Sequence, residues 1–299
     1  MIYIYMICIY IYNTNASYHE CFLTRVLVRF SERMLRIHVS FPSGSGETLS
    51  LPEHSKVGDL KLLAQKTFRQ GFLKLVSADG RVLTNLTDSL QTAGVQDGEH
   101  LTAVVQQTKL AASTKAFALW CRGGSRMLTW GDPNFGGDCS TVQDQLQKVQ
   151  QVEATGAAFA AILADGSVVT WGDPLLGGDC SAVQDQLRDV QQIQATNGAF
   201  AAVLGDGSVV AWGSPSRGGD CSAVQGQLRN VQQVQGTNFG AFAAILANGS
   251  IVTWGDPDDG GDCSAVQDQL RNVRQIQATD GAFAAILGDG SVVAWGDPD

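Results

Sequence analysis

The C-terminal two thirds of this 299-residue chain, residues 108–299, contain no histidine, because all four histidines lie before residue 101. A serine or cysteine hydrolase activates its nucleophile with an adjacent base, most often an imidazole, which this region lacks. The sequence also has no Gly-x-x-x-x-Gly-Lys-Ser/Thr phosphate loop and no Cys-x-x-Cys pair of the kind that chelates zinc. These absences favour a protein with no catalytic residues, no bound metal and no cofactor.

Long apolar runs are also missing. The N-terminal stretch MIYIYMICIYIYN is apolar over about a dozen residues, whereas a helix needs about 20 to span a bilayer. It has no positively charged start and no small-residue cleavage site, so it does not match a signal peptide either. Its residue types have A/T-rich codons, and we interpret residues 1–33 as a non-domain extension, a gene-model artefact ahead of a natural start at Met34. The alternative is a membrane-interface anchor.

Basic residues are scarce in the larger part of the chain. Of the formal net charge of −9, residues 34–107 contribute zero, with seven basic and seven acidic residues, and residues 108–299 contribute −10, with ten basic and twenty acidic. An acidic surface repels a phosphate backbone, so we expect no nucleic-acid partner.

Residues 34–107 have the pattern of a small mixed domain. MLRIHVSF and ETLSLP predict two strands, KVGDLKLLAQKTF a helix with one apolar face, and LKLVSADGRVL a third strand with a turn. With the ending SLQTAGVQDGEHLTAVV, these segments resemble a ubiquitin-like domain of the β-grasp fold. Conjugated members of that family end in Gly-Gly, but here the last strand continues into VVQQTKLAAS, which implies a fixed domain that is not conjugated. By the resemblance, Val76 and Val104 form an apolar recognition patch on the sheet; the alternative is that both pack in the core.

Internal repetition dominates residues 108–299. The tryptophans that precede a glycine are 41, 41, 42 and 41 residues apart, and the one-residue slip arises in QGTNFGAF, a loop before a strand. Each period predicts three strands, with Asp-Gly or Asn-Gly between the second and third, a hairpin signal in which both turn residues take positive φ. Ser181 and Gln184 have capping-box spacing, which predicts a short helical turn over 182–187. The tryptophans are Trp130, Trp171, Trp212, Trp254 and Trp295.

The repeated pattern V-x-x-I-x-A, A-F-A-A-x-L, D-G-S-V-V and W-G resembles the regulator of chromosome condensation (RCC1) repeat. It is closer still to the compact repeats of β-lactamase inhibitor protein II. The predicted fold class is therefore mainly β: an α+β ubiquitin-like domain followed by an all-β, propeller-like array of about five 41-residue repeats. TKLAAST is the degenerate first strand of the first repeat, and CRGGSR is its degenerate hairpin. The family usually closes a ring of seven blades, so five repeats imply a smaller or open ring or, as we favour, a truncated chain.

Four cysteines recur at one phase of the repeat, which fits a metal site, a set of disulfides or neither. Equivalent positions on neighbouring sheets lie about 10 Å or more apart, too far for a disulfide or a shared zinc ion. We therefore expect small, buried, reduced packing residues, which suit the cytoplasm or nucleus. An aspartate precedes each cysteine and predicts a loop cap, with a calcium-binding ring or an acid–base pair as the alternatives. The cysteines are Cys139, Cys180, Cys221 and Cys263.

The repeats are almost identical except at two positions in the segment WGDP-x-x-GG. Their variation marks these positions as candidate partner contacts on loops, although free drift of exposed residues explains it equally well. The pairs are Asn134 and Phe135, Leu175 and Leu176, Ser216 and Arg217, and Asp258 and Asp259.

These features together favour a non-catalytic protein that binds other proteins, as an adaptor in a ubiquitin-linked pathway. Three alternatives remain open: a fragment of a larger ubiquitin ligase whose catalytic domain is missing, a guanine-nucleotide exchange factor, and an enzyme inhibitor. The ubiquitin-linked role rests on the family resemblance alone.

Overall fold

The computed structural model describes residues 33–122 and 127–298. The interpretation of the N-terminal extension and its membrane-anchor alternative concern residues that lie outside this description, as does most of the predicted CRGGSR hairpin. Among the helices that are described, none is long and apolar enough to cross a membrane.

The first domain has a four-stranded mixed sheet covered by one helix. The strand order is β2-β1-β4-β3, in which β1 runs parallel to β4 and the other neighbours are antiparallel. This arrangement confirms the predicted β-grasp class. The elements are β1 Met34–Ser40, β2 Gly46–Pro52, α1 Val57–Phe68, β3 Leu73–Ser77 and β4 His100–Val105.

Helix α1 forms where its apolar face can cover the sheet. Val57, Leu60 and Ala64 repeat at helical spacing and are buried against the inward residues of the strands. The Asp59 carboxylate accepts a hydrogen bond from the Lys56 backbone N–H at 2.8 Å, which satisfies a donor that the first turn leaves free. The helix ends at Phe68 and is capped by Arg69, whose φ of 51° is left-handed.

The rest of the described chain forms five three-stranded antiparallel sheets, which we call repeats 1 to 5, and this confirms the predicted number of repeats. Their strands are, for repeat 1, β5 Thr108–Ala112, β6 Ala116–Cys121 and β7 Met127–Gly131; for repeat 2, β8 Val149–Ala154, β9 Ala158–Leu163 and β10 Val168–Gly172; for repeat 3, β11 Val190–Ala195, β12 Ala199–Leu204 and β13 Val209–Gly213; for repeat 4, β14 Val231–Gly236, β15 Ala241–Leu246 and β16 Ile251–Gly255; and for repeat 5, β17 Val273–Ala278, β18 Ala282–Leu287 and β19 Val292–Gly296.

Each repeat has two different apolar faces. In repeat 2, one face carries small and β-branched side chains, and we call this type the alanine face. The other face of a repeat carries a phenylalanine and a tryptophan, as Phe200 and Trp212 do in repeat 3, and we call this type the aromatic face. The alanine face of each repeat packs on the aromatic face of the next, so a central strand such as AFAAVL is apolar on both sides. The residues of the 2–3 interface include Ala158, Ala160, Ile162 and Val168 on one side and Ile193, Phe200, Ala202, Val210 and Trp212 on the other.

The hairpins lie where the sequence predicts them, but the predicted turn conformation is wrong. Gly166 has φ of 79°, whereas Asp165 does not have a positive φ, so the turn is not the two-residue form in which both residues are left-handed. Instead, the Gly166 N–H donates to the Leu163 carbonyl and the Leu163 N–H to the Ser167 carbonyl, which makes a longer loop. The Asp165 carboxylate accepts from the Ser167 N–H at 3.1 Å and from its hydroxyl at 2.6 Å, and these bonds hold aspartate in the ordinary φ region.

The predicted capping box at Ser181 and Gln184 is also wrong, but residues 182–187 do contain one helical turn, in which the Leu187 N–H donates to the Val183 carbonyl at 3.3 Å. The Ser181 N–H donates to the Asp179 carboxylate at 2.8 Å, so aspartate is the cap. The Gln184 side chain accepts from the Cys180 thiol at 2.9 Å and donates to the Val168 carbonyl at 3.2 Å. The glutamine therefore ties the connector to the third strand of the preceding sheet.

Candidate functional site

The variable pairs lie in a loop that has the same framework in each of the first four repeats. After the tryptophan strand the chain enters a short helical turn that begins at a proline. In repeat 2 the Asp173 carboxylate caps this turn by accepting from the Leu175 N–H at 2.8 Å, and the aspartates of repeats 1 and 4 do the same. Repeat 3 has Ser214 at this position, and its hydroxyl pairs with that of Ser216 at 3.1 Å instead.

Each variable pair divides into one exposed and one half-buried residue, which the sequence did not reveal. The first residues are exposed, and Leu175 is 79% exposed although it is a large apolar residue. The second residues are half-buried because each turns toward the repeats. Thr155 donates to the Leu176 carbonyl and Thr196 to the Arg217 carbonyl, both at 2.9 Å. The exposed members are Asn134, Leu175, Ser216 and Asp258, and the half-buried members are Phe135, Leu176, Arg217 and Asp259.

The glycine after each pair is held by the tryptophan of the following repeat. The indole N–H of Trp212 donates to the Gly177 carbonyl at 3.1 Å, and the other three junctions have the same bond at 3.0 Å. Gly177 has φ of 101°, and a Cβ atom there would lie 2.6 Å from the Phe200 ring. The close approach and the left-handed backbone together require glycine at this position.

The loops of neighbouring repeats join at this end of the array. The Gly156 N–H donates to the Asn197 carbonyl, and the Asn197 N–H donates to the Asn238 carbonyl, both at 2.8 Å. Leu176 and Arg217 both lie against Gly198, so the pairs of repeats 2 and 3 are brought together. We call the four variable pairs together with Phe239 the loop surface.

Phe239 is a surface residue that the sequence reasoning missed. It is the extra residue of the 42-residue period, and it is 46% exposed. Its carbonyl accepts from the Arg217 guanidinium at 3.2 Å, and its ring lies beside Gly281, which also contacts Asp259. The one-residue slip in the tryptophan spacing was the signal for it, because an insertion into a fixed loop places a side chain outside the framework.

Charge is unevenly distributed over the loop surface. In repeat 1 the Lys115 ammonium lies 4.5 Å from the centre of the Phe135 ring. In repeat 4 Asp259 loses solvent and is repelled by Asp256 and Asp297, and these effects raise the pKa of its carboxyl above the ordinary value. Arg217 of repeat 3 lies next to these aspartates and opposes the rise in the pKa of Asp259. The loop surface therefore combines an apolar ring with a neighbouring lysine in repeat 1, an arginine in repeat 3 and two aspartates in repeat 4.

The aspartates that precede the repeat cysteines act as loop caps. Each carboxylate accepts from the N–H of the serine two residues later at 2.8 or 2.9 Å, and these bonds lower the pKa of the carboxyl. In the described residues, no three His, Cys, Asp or Glu side chains come together in a way that could hold a metal ion. The four aspartates are Asp138, Asp179, Asp220 and Asp262.

The repeat cysteines are buried and free, as predicted, and the other described cysteine, Cys121, is also buried and free. Burial raises the pKa of the thiols of Cys180, Cys221 and Cys263, so these groups stay protonated near neutral pH. The sequence did not reveal their second role, in which each thiol donates to a glutamine four residues later.

Val76 and Val104 lie on the outward side of the β-grasp sheet and not in its core. In the register of β3 and β4, Lys74 is opposite Val104 and Val76 is opposite Thr102, so the valines are diagonal neighbours separated by polar side chains. Val76 is half-buried and Val104 is exposed. Val104 also borders an apolar groove of about 530 Å³ with Phe41, Phe68 and Val105.

The first strand of repeat 2 carries Glu153 where repeats 3 to 5 have glutamine. Burial raises the pKa of the Glu153 carboxyl, although a hydrogen bond from the Gln151 amide at 2.9 Å opposes this effect. A carboxyl whose pKa is higher in the folded state destabilises the fold once the pH rises above the ordinary value of 4.5. We expect Glu153→Gln to have no effect on stability below that value and a growing stabilising effect above it.

Denaturant titrations over a pH series measure this difference. Glu47→Gln, at an exposed position in β2, is the matched control for the removal of one carboxyl group. Parallel stability curves for wild type and Glu153→Gln would contradict the expectation.

Comparison with known proteins gave structural matches only, since no family model and no curated protein matches this chain. Prp20p from Saccharomyces cerevisiae, studied with its binding to Gsp1p and histones, is 14% identical over 76% of this chain and 66% of its own, with a TM-score of 0.43. The CRINKLY WD40 ectodomain of the Arabidopsis thaliana receptor kinase ACR4 is 17% identical over 62% of each chain, with a TM-score of 0.40.

A ubiquitin-like domain from Arabidopsis thaliana is 17% identical over 30% of this chain and 92% of its own, with a TM-score of 0.23. The matches thus include both families that the sequence resembles, RCC1 and ubiquitin-like domains. This chain spans less than two thirds of the length of the propellers named above.

Proposed function

We propose that the chain is a non-catalytic protein-binding module and that the loop surface is its contact site. One observation carries this proposal: the same rigid loop framework presents a different exposed side chain in each of four successive repeats. If these positions varied only because nothing depends on them, the loop backbone would not need to be rigid. Each loop is in fact held by a hydrogen bond from a buried tryptophan N–H and by a glycine with a left-handed backbone. Rigid presentation reduces the entropy lost when a partner binds.

The distribution of side chains on the loop surface defines the partner that fits it. Phe135 supplies apolar contact area in repeat 1 and Leu175 does so in repeat 2. Asp258 and Asp259 supply negative charge in repeat 4. Protein interfaces combine an apolar centre with charged residues at the rim that set orientation. We therefore expect a partner segment with an apolar part and a basic part.

The β-grasp domain is proposed as a second recognition element, with Val76 and Val104 as its contacts and residues 34–107 and 108–299 as the two domains. β4 ends at Val105 and β5 begins at Thr108, so the position of a conjugating tail is occupied by the next strand. The domain is therefore suited to being recognised and not to being attached. This supports the finer proposal of an adaptor in a ubiquitin-linked pathway, in the cytoplasm or nucleus.

Site-specific photo-crosslinking tests both surfaces in the full chain. A benzophenone amino acid is placed at position 175 of the loop surface or at position 104 of the sheet, and the protein is irradiated in cells. Arg188, an exposed residue of a connector, and Leu62, an exposed residue of α1, are the matched control positions. We expect discrete crosslinked partners at 175 and 104 that are absent at 188 and 62. We also expect Asp258→Lys, which reverses an exposed negative charge of the loop surface, to reduce the product at 175.

Equal crosslinking at 175 and 188 would contradict the loop surface as the binding site. If none of the proteins captured at 104 recognises or processes ubiquitin, the ubiquitin-linked part of the proposal is wrong and the binding part is unaffected. The exchange-factor alternative stays a prediction, tested by nucleotide release from small GTPases. The ligase-fragment alternative is tested by sequencing transcripts beyond Asp299.

A further inference from the structure

Two histidines lie side by side on the outward side of the β-grasp sheet. In the parallel register of β1 and β4, His38 is opposite His100, and the centres of their imidazole rings are 4.9 Å apart. His38 is half-buried and His100 is exposed. Nothing in the sequence predicts this pair, because its members lie on strands that are far apart along the chain.

The sheet holds His38 in a defined position. β1 is an inner strand, and the His38 N–H donates to the Glu99 carbonyl at 2.8 Å. On the other side of β1, the Thr48 hydroxyl of β2 lies 3.3 Å from the His38 Nδ1 atom, within hydrogen-bond distance. A bond at Nδ1 orients the ring and leaves Nε2 as the nitrogen available to a ligand. A Cβ atom at Gly46 would lie 3.0 Å from Nε2, so glycine keeps the space beside this nitrogen open.

The spacing of the two rings matches that of two imidazoles bound to one metal ion. An imidazole nitrogen binds zinc at about 2.0–2.1 Å, which places the ring centre about 3.2 Å from the ion. Two such rings, bound at about 90° in a square arrangement or at about 109° in a tetrahedral one, have centres about 4.5–5.2 Å apart. The 4.9 Å between the His38 and His100 rings lies inside this range, so both can share one ion without a change in their spacing.

We propose that His38 and His100 together bind one divalent transition-metal ion, with solvent molecules completing its coordination. Imidazole is a preferred ligand of Zn²⁺, Ni²⁺ and Cu²⁺, whereas Mg²⁺ and Ca²⁺ prefer oxygen ligands. Among the first group, the usual order of affinity places Cu²⁺ above Ni²⁺ and Zn²⁺. The two imidazoles therefore select the class of ion, and the availability of each metal decides which member binds.

Two protein ligands make an open site. Structural zinc sites have four protein ligands and catalytic sites three, so we expect the ion here to bind more weakly and to exchange with solvent. His100 and Val104 project from the same side of β4 and are four residues apart, which is about 13 Å along the strand. The site uses neither the valine contacts nor the loop surface, so it is independent of the proposed function.

Single substitutions in the full chain test each part of the site. His38→Ala and His100→Ala each remove one imidazole, and both side chains are at least partly exposed, so both variants should fold, which circular dichroism verifies. His54→Ala, at an exposed position between β2 and α1, is the matched control for the loss of a histidine. Thr48→Val removes the hydroxyl that orients His38.

Isothermal titration calorimetry with Ni²⁺ measures the affinity at about pH 7.5, because metal ions bind neutral imidazole. We expect His38→Ala and His100→Ala each to weaken binding by more than about tenfold, and Thr48→Val to weaken it by about tenfold, as for a residue that orients a ligand. His54→Ala should bind as wild type does. Electron paramagnetic resonance with Cu²⁺ should show one coordinated nitrogen fewer in His38→Ala and in His100→Ala than in wild type.

Three results would overturn the proposal. Wild type that binds no Ni²⁺ would show that the pair does not hold a metal ion. Unchanged affinity in both His38→Ala and His100→Ala would place the ion at other residues. A loss in only one of these two variants would show a contact with a single histidine and not a shared site.

Discussion

Replacement of Phe200 by alanine is expected to lower the free energy of unfolding by about 3–5 kcal/mol, the range for removing a buried phenylalanine. Phe200 is fully buried at the 2–3 interface, and its ring stacks on Trp212 with centroids 5.2 Å apart. The cavity would lie between two sheets whose backbones are fixed by hydrogen bonds, so it cannot collapse easily. Denaturant titration of the full chain measures the loss.

Phe117 provides the matched control for this substitution, because it occupies the same position in repeat 1 but is 41% exposed. Phe117→Ala is expected to cost about 1–2 kcal/mol, in proportion to its smaller buried area. Equal losses for the two substitutions would show that the packing between repeats does not determine stability.

Replacement of Gly177 by alanine is expected to destabilise the fold by about 2–5 kcal/mol. A left-handed backbone costs a residue with a Cβ atom about 1–2 kcal/mol, and overpacking a core adds about 1–3 kcal/mol. Both terms apply because Gly177 has φ of 101° and the new Cβ would meet the Phe200 ring at 2.6 Å. Its carbonyl also accepts the Trp212 bond, so tryptophan fluorescence should report the displacement.

Gly226 is the matched control for this second substitution. It lies in the connector before repeat 4, it has no positive φ, and no atom lies within 4 Å of a Cβ built there. The other connectors have aspartate at this position, as at Asp185. Gly226→Ala should change stability by no more than about 0.5 kcal/mol. If Gly177→Ala were as stable as Gly226→Ala, the loop framework would not depend on glycine.

Most of the fold could be predicted from the sequence because its signals are local and repeated. The run AFAAVL marks a strand covered on both faces, and the fixed spacing of the tryptophans marks equivalent sheets, so one correct interpretation applied to every repeat. In the first domain the spacing of Val57, Leu60 and Ala64 was enough to place the helix.

The errors arose where a side chain had a choice of partners. Asp165 binds Ser167 and so avoids the positive φ that the dipeptide suggested, and Gln184 binds a thiol and a strand carbonyl instead of the serine backbone. Sequence spacing shows which partners are within reach, but the competition between them is decided by the packed structure.

The candidate site could be predicted in part. Variation identified the four pairs, but not that Leu175 is exposed while Leu176 faces the repeats, because that division depends on the orientation of the loop. The sequence likewise did not show that residues at equivalent positions of different repeats differ in exposure. Trp130 and Trp212 occupy the same position in their repeats, yet within residues 33–122 and 127–298 a neighbouring sheet packs only against Trp212.

The bond from each tryptophan to the loop of the preceding repeat makes the order of synthesis matter. Trp212 follows Gly177 by 35 residues, so the loop of repeat 2 cannot be locked until that much more of the chain has left the ribosome. At about 5–20 residues per second, this delay lasts about 2–7 s. During translation, each newly made loop therefore passes through an unlocked interval, and the loops become fixed one after another from the N-terminal end.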